Sequence, residues 1–249
     1  MSTVLERDPT INADTRIGSL AARRPDLLGV MDRLGMDYCC HGDDTLERAA
    51  ARAGKPLAQV LAAFASDVAV PASVANACGI DAASLSMTAL CDHIEQVHHA
   101  FVKAAFGELD VLVPKVAEHH GEHTPSLREV ALVYASLREE MLDHLIREER
   151  VLFPWLRRLE AHEAVHVGPP WSVKRPIDCM IHDHTSVGEA LARLSTLTNG
   201  YAVPLGACMS FSRMLGLLRD LDSDTRRHIH EENNVLFPAG IAAEQRRAR

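Results

Sequence analysis

The chain has 249 residues, 47% hydrophobic and 24% charged, with a formal net charge of −8. That length holds one large domain, or a small one plus a larger one, and the negative balance argues against broad nucleic-acid or anionic-membrane binding. Aromatic residues make up only 4%, so the core must be mostly aliphatic, whereas 14 histidines, nearly all in the last two-thirds, call for a chemical reason.

Residues 1–14 read as disordered or weakly held, and Met1–Pro9 is polar with no apolar signal-peptide core. No apolar run approaches the roughly 20 residues of a bilayer span. The cysteines Cys39, Cys40, Cys78, Cys91, Cys179 and Cys208 have the spacing of neither a disulfide framework nor a zinc ribbon. A reduced, cytoplasmic setting with no membrane or nucleic-acid partner is expected.

The pattern predicts an all-α chain. Thr15–Gly35 reads as two short helices divided by Pro25. Met36–Gly42 is turn-like. Asp44 or Thr45 caps a helix over Leu46–Ala53 that Gly54 stops, and a further helix runs over Pro56–Ser66. Residues 1–67 thus form a small helical module, and 68–85, with Pro71 and Gly79, a linker. Residues 86–249 carry four long helical patterns: Ser86 to about Val116, Pro125 or Ser126 to about Glu160, Pro176 to Thr198, and Leu205 to about Gln245. The loop between the second and third is centred on Gly168-Pro169-Pro170. Four helices with short to moderate connections imply an up-down-up-down bundle.

Two stretches of this bundle are near-copies. His144-Leu145-Ile146-Arg147-Glu148-Glu149-Arg150-Val151-Leu152-Phe153-Pro154 and His228-Ile229-His230-Glu231-Glu232-Asn233-Asn234-Val235-Leu236-Phe237-Pro238 both read His-x-x-x-Glu-x-x-Val-Leu-Phe-Pro. A constant offset marks a duplicated unit. Residues i and i+4 share one helical face, so each copy can put an imidazole and a carboxylate on one metal. A lone His-x-x-x-Glu is more often a surface pair, and the Val-Leu-Phe tail also reads as core. The proline should kink or end the helix in both copies.

The repeat also says where further donors lie. Each half has a histidine on its first helix, His99 or His184, giving the set His99, His144, Glu148, His184, His228 and Glu232. Two carboxylates can bridge two metals, with two imidazoles for each. This donor mix suits iron, manganese or zinc, and bundle sites of this kind favour iron or manganese. His98 points about 100° from His99, and the same reasoning prefers His184 over His182 and His228 over His230. Glu95 and Asp183 are candidates to orient an imidazole through its second nitrogen. His119, His120 and His123 read as solvent-facing at a helix end, with His120 also a candidate for an outer contact. His162 and His166 read as loop residues.

Cys39-Cys40 is the other feature with chemistry in it. A disulfide between neighbours is strained and easily reduced. The bland reading is two small buried hydrophobes. A turn beside Tyr38, His41 and Gly42 favours instead a redox or metal-transfer pair.

Together these residues resemble one family. Asp37-Tyr38-Cys39-Cys40-His41-Gly42, followed by Thr45-Leu46-Glu47-Arg48-Ala49, and Glu231-Glu232-Asn233-Asn234-Val235-Leu236-Phe237-Pro238 are similar to the iron–sulfur cluster repair di-iron proteins, or repair-of-iron-centres proteins, of the YtfE/ScdA/NorA type. The resemblance implies an ScdA-type Cys-Cys module ahead of a hemerythrin-like bundle. It implies two non-haem iron ions on the six donors above, carboxylate-bridged and open to oxo bridging, and an active-site or redox role for Cys39 and Cys40. It implies a homodimer of the nitrosative and oxidative stress response. Such a protein repairs damaged iron–sulfur proteins by donating ferrous iron, by binding or reducing nitric oxide, or by both. A non-catalytic oxygen or nitric oxide sensor or scavenger is the alternative. This sequence departs from the family at His41, where glycine is common, and at Asp183, where glutamate is expected.

Overall fold

The computed structural model describes residues 11–67, 81–163 and 172–247. Most of the expected linker, the Gly168-Pro169-Pro170 loop, His166 and Cys78 lie outside these residues. Helix dominates the described residues, alongside a single β-bridge between Arg16 and Thr45. The fold is the expected all-α one. The chain divides into two compact units, one of residues 1–85 with 229–238 and one of residues 86–228 with 239–249.

The first unit holds α1 (Ile17–Arg23), α2 (Leu28–Leu34), α3 (Leu46–Arg52) and α4 (Leu57–Asp67). Pro25 separates α1 from α2, since it offers no amide hydrogen to the ladder of α1. Gly35 ends α2 at φ 69°, a left-handed conformation that costs glycine little. The Thr45 hydroxyl accepts a hydrogen bond from the Arg48 amide and caps α3. Ile17, Leu20, Met31, Tyr38, Leu46 and Val60 are fully buried and form the core.

In the same unit the turn Met36–Gly42 is held by the segment 229–238. Asn233 Nδ2 donates to the Cys39 carbonyl (3.2 Å) and Asn234 Nδ2 to the Tyr38 carbonyl (3.3 Å). The Asn234 side chain fits between two glycines. A Cβ on Gly18 would lie 2.1 Å from Asn234 Oδ1 and 2.8 Å from the Gly42 Cα. Only the bare backbone at both positions allows this approach.

His230 is buried beside them, edge-on to Tyr38 with ring centroids 5.4 Å apart. Burial pushes its pKa from 6.5 down to about 4. The unfolded chain therefore takes up this proton first. The stability contributed is complete above about pH 6.5 and is lost as pH falls towards 4. Metal-free protein should lose about 2 kcal/mol through this group between pH 7 and pH 5. Urea unfolding at the two pH values should show a correspondingly smaller loss in His230→Gln; equal losses would count against it.

Residues 86–247 carry four long helices, the last of which includes residues 229–238 of the first unit. The first is α5 (Met87–His93), a π turn (Ile94–His99) and α6 (Ala100–His120). Next come α7 (Ser126–Arg147), a π turn (Glu148–Leu152) and α8 (Phe153–Glu160). The third is α9 (Lys174–Leu197). The fourth is α10 (Met209–Glu231), a π turn (Glu232–Leu236) and α11 (Phe237–Arg247).

Side-chain pairs show that the first and second helices, and the second and third, run antiparallel. Asp110 meets Arg138 while Glu95 meets Arg157. Glu129 meets Arg193 while Arg147 meets Asp183. Pro154 and Pro238 do not end their helices. In both copies a π turn stands immediately before, so the proline falls at the first residues of a renewed α-helix, where its missing amide hydrogen is harmless.

The duplication extends to the helix starts. Glu160 accepts from the amides of Met87 and Thr88, both at 2.8 Å, capping the first helix. Its counterpart Glu244, 84 positions on, accepts from the Val173 amide (2.8 Å) and the Ser172 hydroxyl (2.7 Å) ahead of the third.

Candidate metal centre

The six histidines and glutamates of the repeat come together. Each is at most 1% exposed. His99 Nε2 lies 3.3 Å from His228 Nε2, and His184 Nε2 lies 3.1 Å from His144 Nε2. Two nitrogens on neighbouring positions of one metal, each about 2.1 Å from it, stand about 3 Å apart. The two imidazole pairs already have that spacing.

Glu148 reaches both pairs. Its Oε1 is 3.0 Å from His144 Nε2, and its Oε2 is 3.4 Å from His99 Nε2 and 3.8 Å from His228 Nε2. Glu232 follows His228 by one helical turn. Two four-donor groups result: His99, Glu148, His228 and Glu232, and His144, Glu148, His184 and Glu232, the atoms of each lying within 4.8 Å of one another. The glutamates are common to both groups and the imidazoles divide two and two. Carboxylates buried this deeply require compensating positive charge. Cation binding among the imidazoles would supply it, and the imidazole–carboxylate chemistry fits iron.

The outer nitrogens of two imidazoles are held by carboxylates. His99 Nδ1 is 2.8 Å from Glu149 Oε1, which also takes Lys103 Nζ at 2.6 Å. His144 Nδ1 is 3.4 Å from Asp183 Oδ2, and Arg147 pairs with the same oxygen at 2.9 Å. Burial pushes the Glu149 carboxyl up, but its bonds to Lys103 and His99 outweigh this and hold it below the usual range. Asp183 is likewise lowered, first by His144 and then by Arg147. Both carboxylates stay charged, which fixes Nδ1 as the protonated nitrogen and leaves Nε2 for a metal.

The remaining candidates are elsewhere. His98 turns away, bonds Asp224 at 3.0 Å and stacks on the His228 ring. His182 is exposed, and His230 belongs to neither donor group. Glu95 was expected as an imidazole partner. It instead pairs with Arg157, whose guanidinium bridges it to Asp92. His120 contacts Cys208 Sγ at 3.2 Å. The role of Glu149 was missed, although its adjacency to Glu148 on a helix facing His99 was the available signal.

In the first unit, Cys39 and Cys40 form their own group with Asp37, which the sequence reading had not linked to them. Their sulfurs are 3.7 Å apart, far beyond the roughly 2.05 Å of a disulfide.

Comparison with known proteins gives two family matches. Residues 89–239 match the family described as the Hemerythrin HHE cation binding domain, and residues 13–67 match ScdA_N, a domain of unknown function. An iron–sulfur cluster repair protein DnrN of Neisseria gonorrhoeae is 38% identical over 149 residues, 60% of this chain and 88% of that protein. An iron–sulfur cluster repair protein YtfE of Escherichia coli O157:H7 is 30% identical over 231 residues, 93% of this chain and 98% of that protein. Its counterpart from Enterobacter sp. (strain 638) is 29% identical over the same shares. A cation-binding domain over most of its length, preceded by the ScdA-type module and matched nearly end to end by such relatives, places the chain in the iron–sulfur cluster repair family of hemerythrin-type proteins.

Proposed function

We propose that the protein repairs damaged iron–sulfur clusters from a centre of two iron ions held by His99, His144, Glu148, His184, His228 and Glu232. The observation that carries this reading is the span of Glu148, one oxygen beside each imidazole pair. A carboxylate so placed would hold a cation at each oxygen. Bound there, iron supplies redox chemistry and open positions for a small ligand such as nitric oxide or oxygen.

The chain's own residues set the conditions for release or reaction. Four neutral imidazoles and two carboxylates carry a total charge of −2 against four positive charges of two ferrous ions, a modest hold for a buried site. Glu149 and Asp183 keep the ring protons of His99 and His144 on the outer nitrogens. Leu109, Leu145 and Phe153 are buried core residues of the same unit, and such packing limits water around buried groups. The names of the relatives favour cluster repair over simple sensing. The clients would be damaged iron–sulfur proteins, the setting the cytoplasm, and the working form a homodimer. No described helix is long and apolar enough to cross a membrane.

The test is transfer. Ferrous protein, mixed anaerobically with an apo iron–sulfur protein, sulfide and reductant, should restore the client's cluster absorption while its own iron content falls. Excess nitric oxide in a separate assay should be consumed over several turnovers if reduction belongs to the function. A stable adduct with no transfer to the client would favour the sensor reading.

A further inference from the structure

We propose that Asp37, Cys39 and Cys40 form a second, mononuclear site for a thiophilic divalent cation such as zinc or ferrous iron, within the N-terminal unit and distinct from the bundle donors.

Two of the three donor separations are close to those of a tetrahedral site. Sulfurs about 2.3 Å from one metal, at the tetrahedral angle, stand about 3.8 Å apart; Cys39 Sγ and Cys40 Sγ are separated by 3.7 Å. A carboxylate oxygen would be about 3.6 Å from each sulfur in such a site, and Asp37 Oδ1 is 3.2 Å from Cys39 Sγ. The three donor atoms lie within 4.8 Å of one another. Neighbouring cysteines rarely aim both sulfurs the same way, and here the turn does it.

The site is also supported from outside. His41 Nδ1 bonds Asp37 Oδ2 at 2.6 Å, and the Cys40 amide donates to Oδ1 at 2.9 Å, so the carboxylate is held at both oxygens. Such outer contacts orient ligands and tune affinity. Asn233 and Asn234 fasten the backbone of the turn through the Cys39 and Tyr38 carbonyls. Cys39 is buried at 1% exposure, while Cys40 is half-buried and the His41 side chain 40% exposed. Metal can therefore enter from the Cys40–His41 side. Three protein ligands leave a fourth position open, the pattern of sites that exchange or react rather than purely structural ones. Binding converts both thiols to thiolates and releases two protons for each cation taken up.

Cobalt(II) is a suitable probe, because its sulfur-to-metal charge-transfer absorption reports thiolate ligation. The six bundle donors contain no sulfur, so this band does not come from them and is unaffected if the bundle assignment fails. Titration of the reduced, iron-loaded full chain should give the band with a break at one equivalent. Cys40→Ser should abolish tight binding, and Asp37→Ala should weaken it at least tenfold. A Cys179→Ser/Cys208→Ser chain should titrate like wild type. Circular dichroism checks that the variants fold, and the wild-type titration stands without them. No sulfur band at stoichiometric cobalt, or an undiminished band in Cys40→Ser, overturns the proposal.

Discussion

Purified Glu148→Ala protein should contain almost no iron, whereas His144→Ala and His228→Ala should each keep about one ion of the two that a dinuclear bundle site holds. The difference follows from reach. His144 pairs with His184 and His228 with His99, so either substitution strips one imidazole pair of a donor and leaves the other complete. Glu148 places an oxygen beside both pairs, and its loss opens both positions together. Colorimetric iron determination on protein purified in parallel decides the order. Equal iron in all three variants would remove the bridging role from Glu148. Full loading in the two histidine variants would remove the ligand assignment altogether.

Stripping the metal should cost the fold heavily. A ligand bound only by the native state stabilises it by about 4 kcal/mol at a thousandfold excess over its dissociation constant. In a chain of this size that corresponds to a drop in Tm of roughly 10 °C on chelation. The physical source is the interior left behind: Glu148 and Glu232, both at 0% exposure, would face one another across four imidazoles with no cation to offset them. Calorimetry before and after chelation measures the drop, and ferrous iron added back should reverse it. In Glu148→Ala the chelator should have little left to remove and should barely move the transition. An unchanged Tm in wild type would mean that the pocket is stable without its ions.

Much of this centre was legible in the residues themselves. His144, Glu148, His228 and Glu232 were readable because helical spacing and an 84-residue offset are both written in the chain, and steps of 45 residues back from His144 and 44 back from His228 pointed to His99 and His184. The outer contacts were harder. Asp183 neighbours His184 in sequence but serves His144, a helix away, and Glu95 finds a guanidinium on Arg157 rather than a ring nitrogen. Pairings between helices depend on side-chain direction after packing, which spacing along one helix does not set. The π turns were not read at all. A five-residue stretch gives no periodicity of its own, and the prolines that follow are expected to break an α-helix. The paired caps by Glu160 and Glu244 were equally visible in principle, since they share the repeat offset, but they lie beyond the conserved stretch of the two copies.

The two halves are not perfect copies in their backbone. His99 sits at the end of a π turn, whereas its counterpart His184 lies within an unbroken α-helix. Glu149 stands behind His99, and the matching position of the second copy is Asn233, which is occupied with the Cys39 carbonyl. The two donor groups are therefore chemically inequivalent. Iron should leave in two phases rather than one, with the earlier ion the one available for delivery and the later one a resident that keeps the bundle shut between rounds.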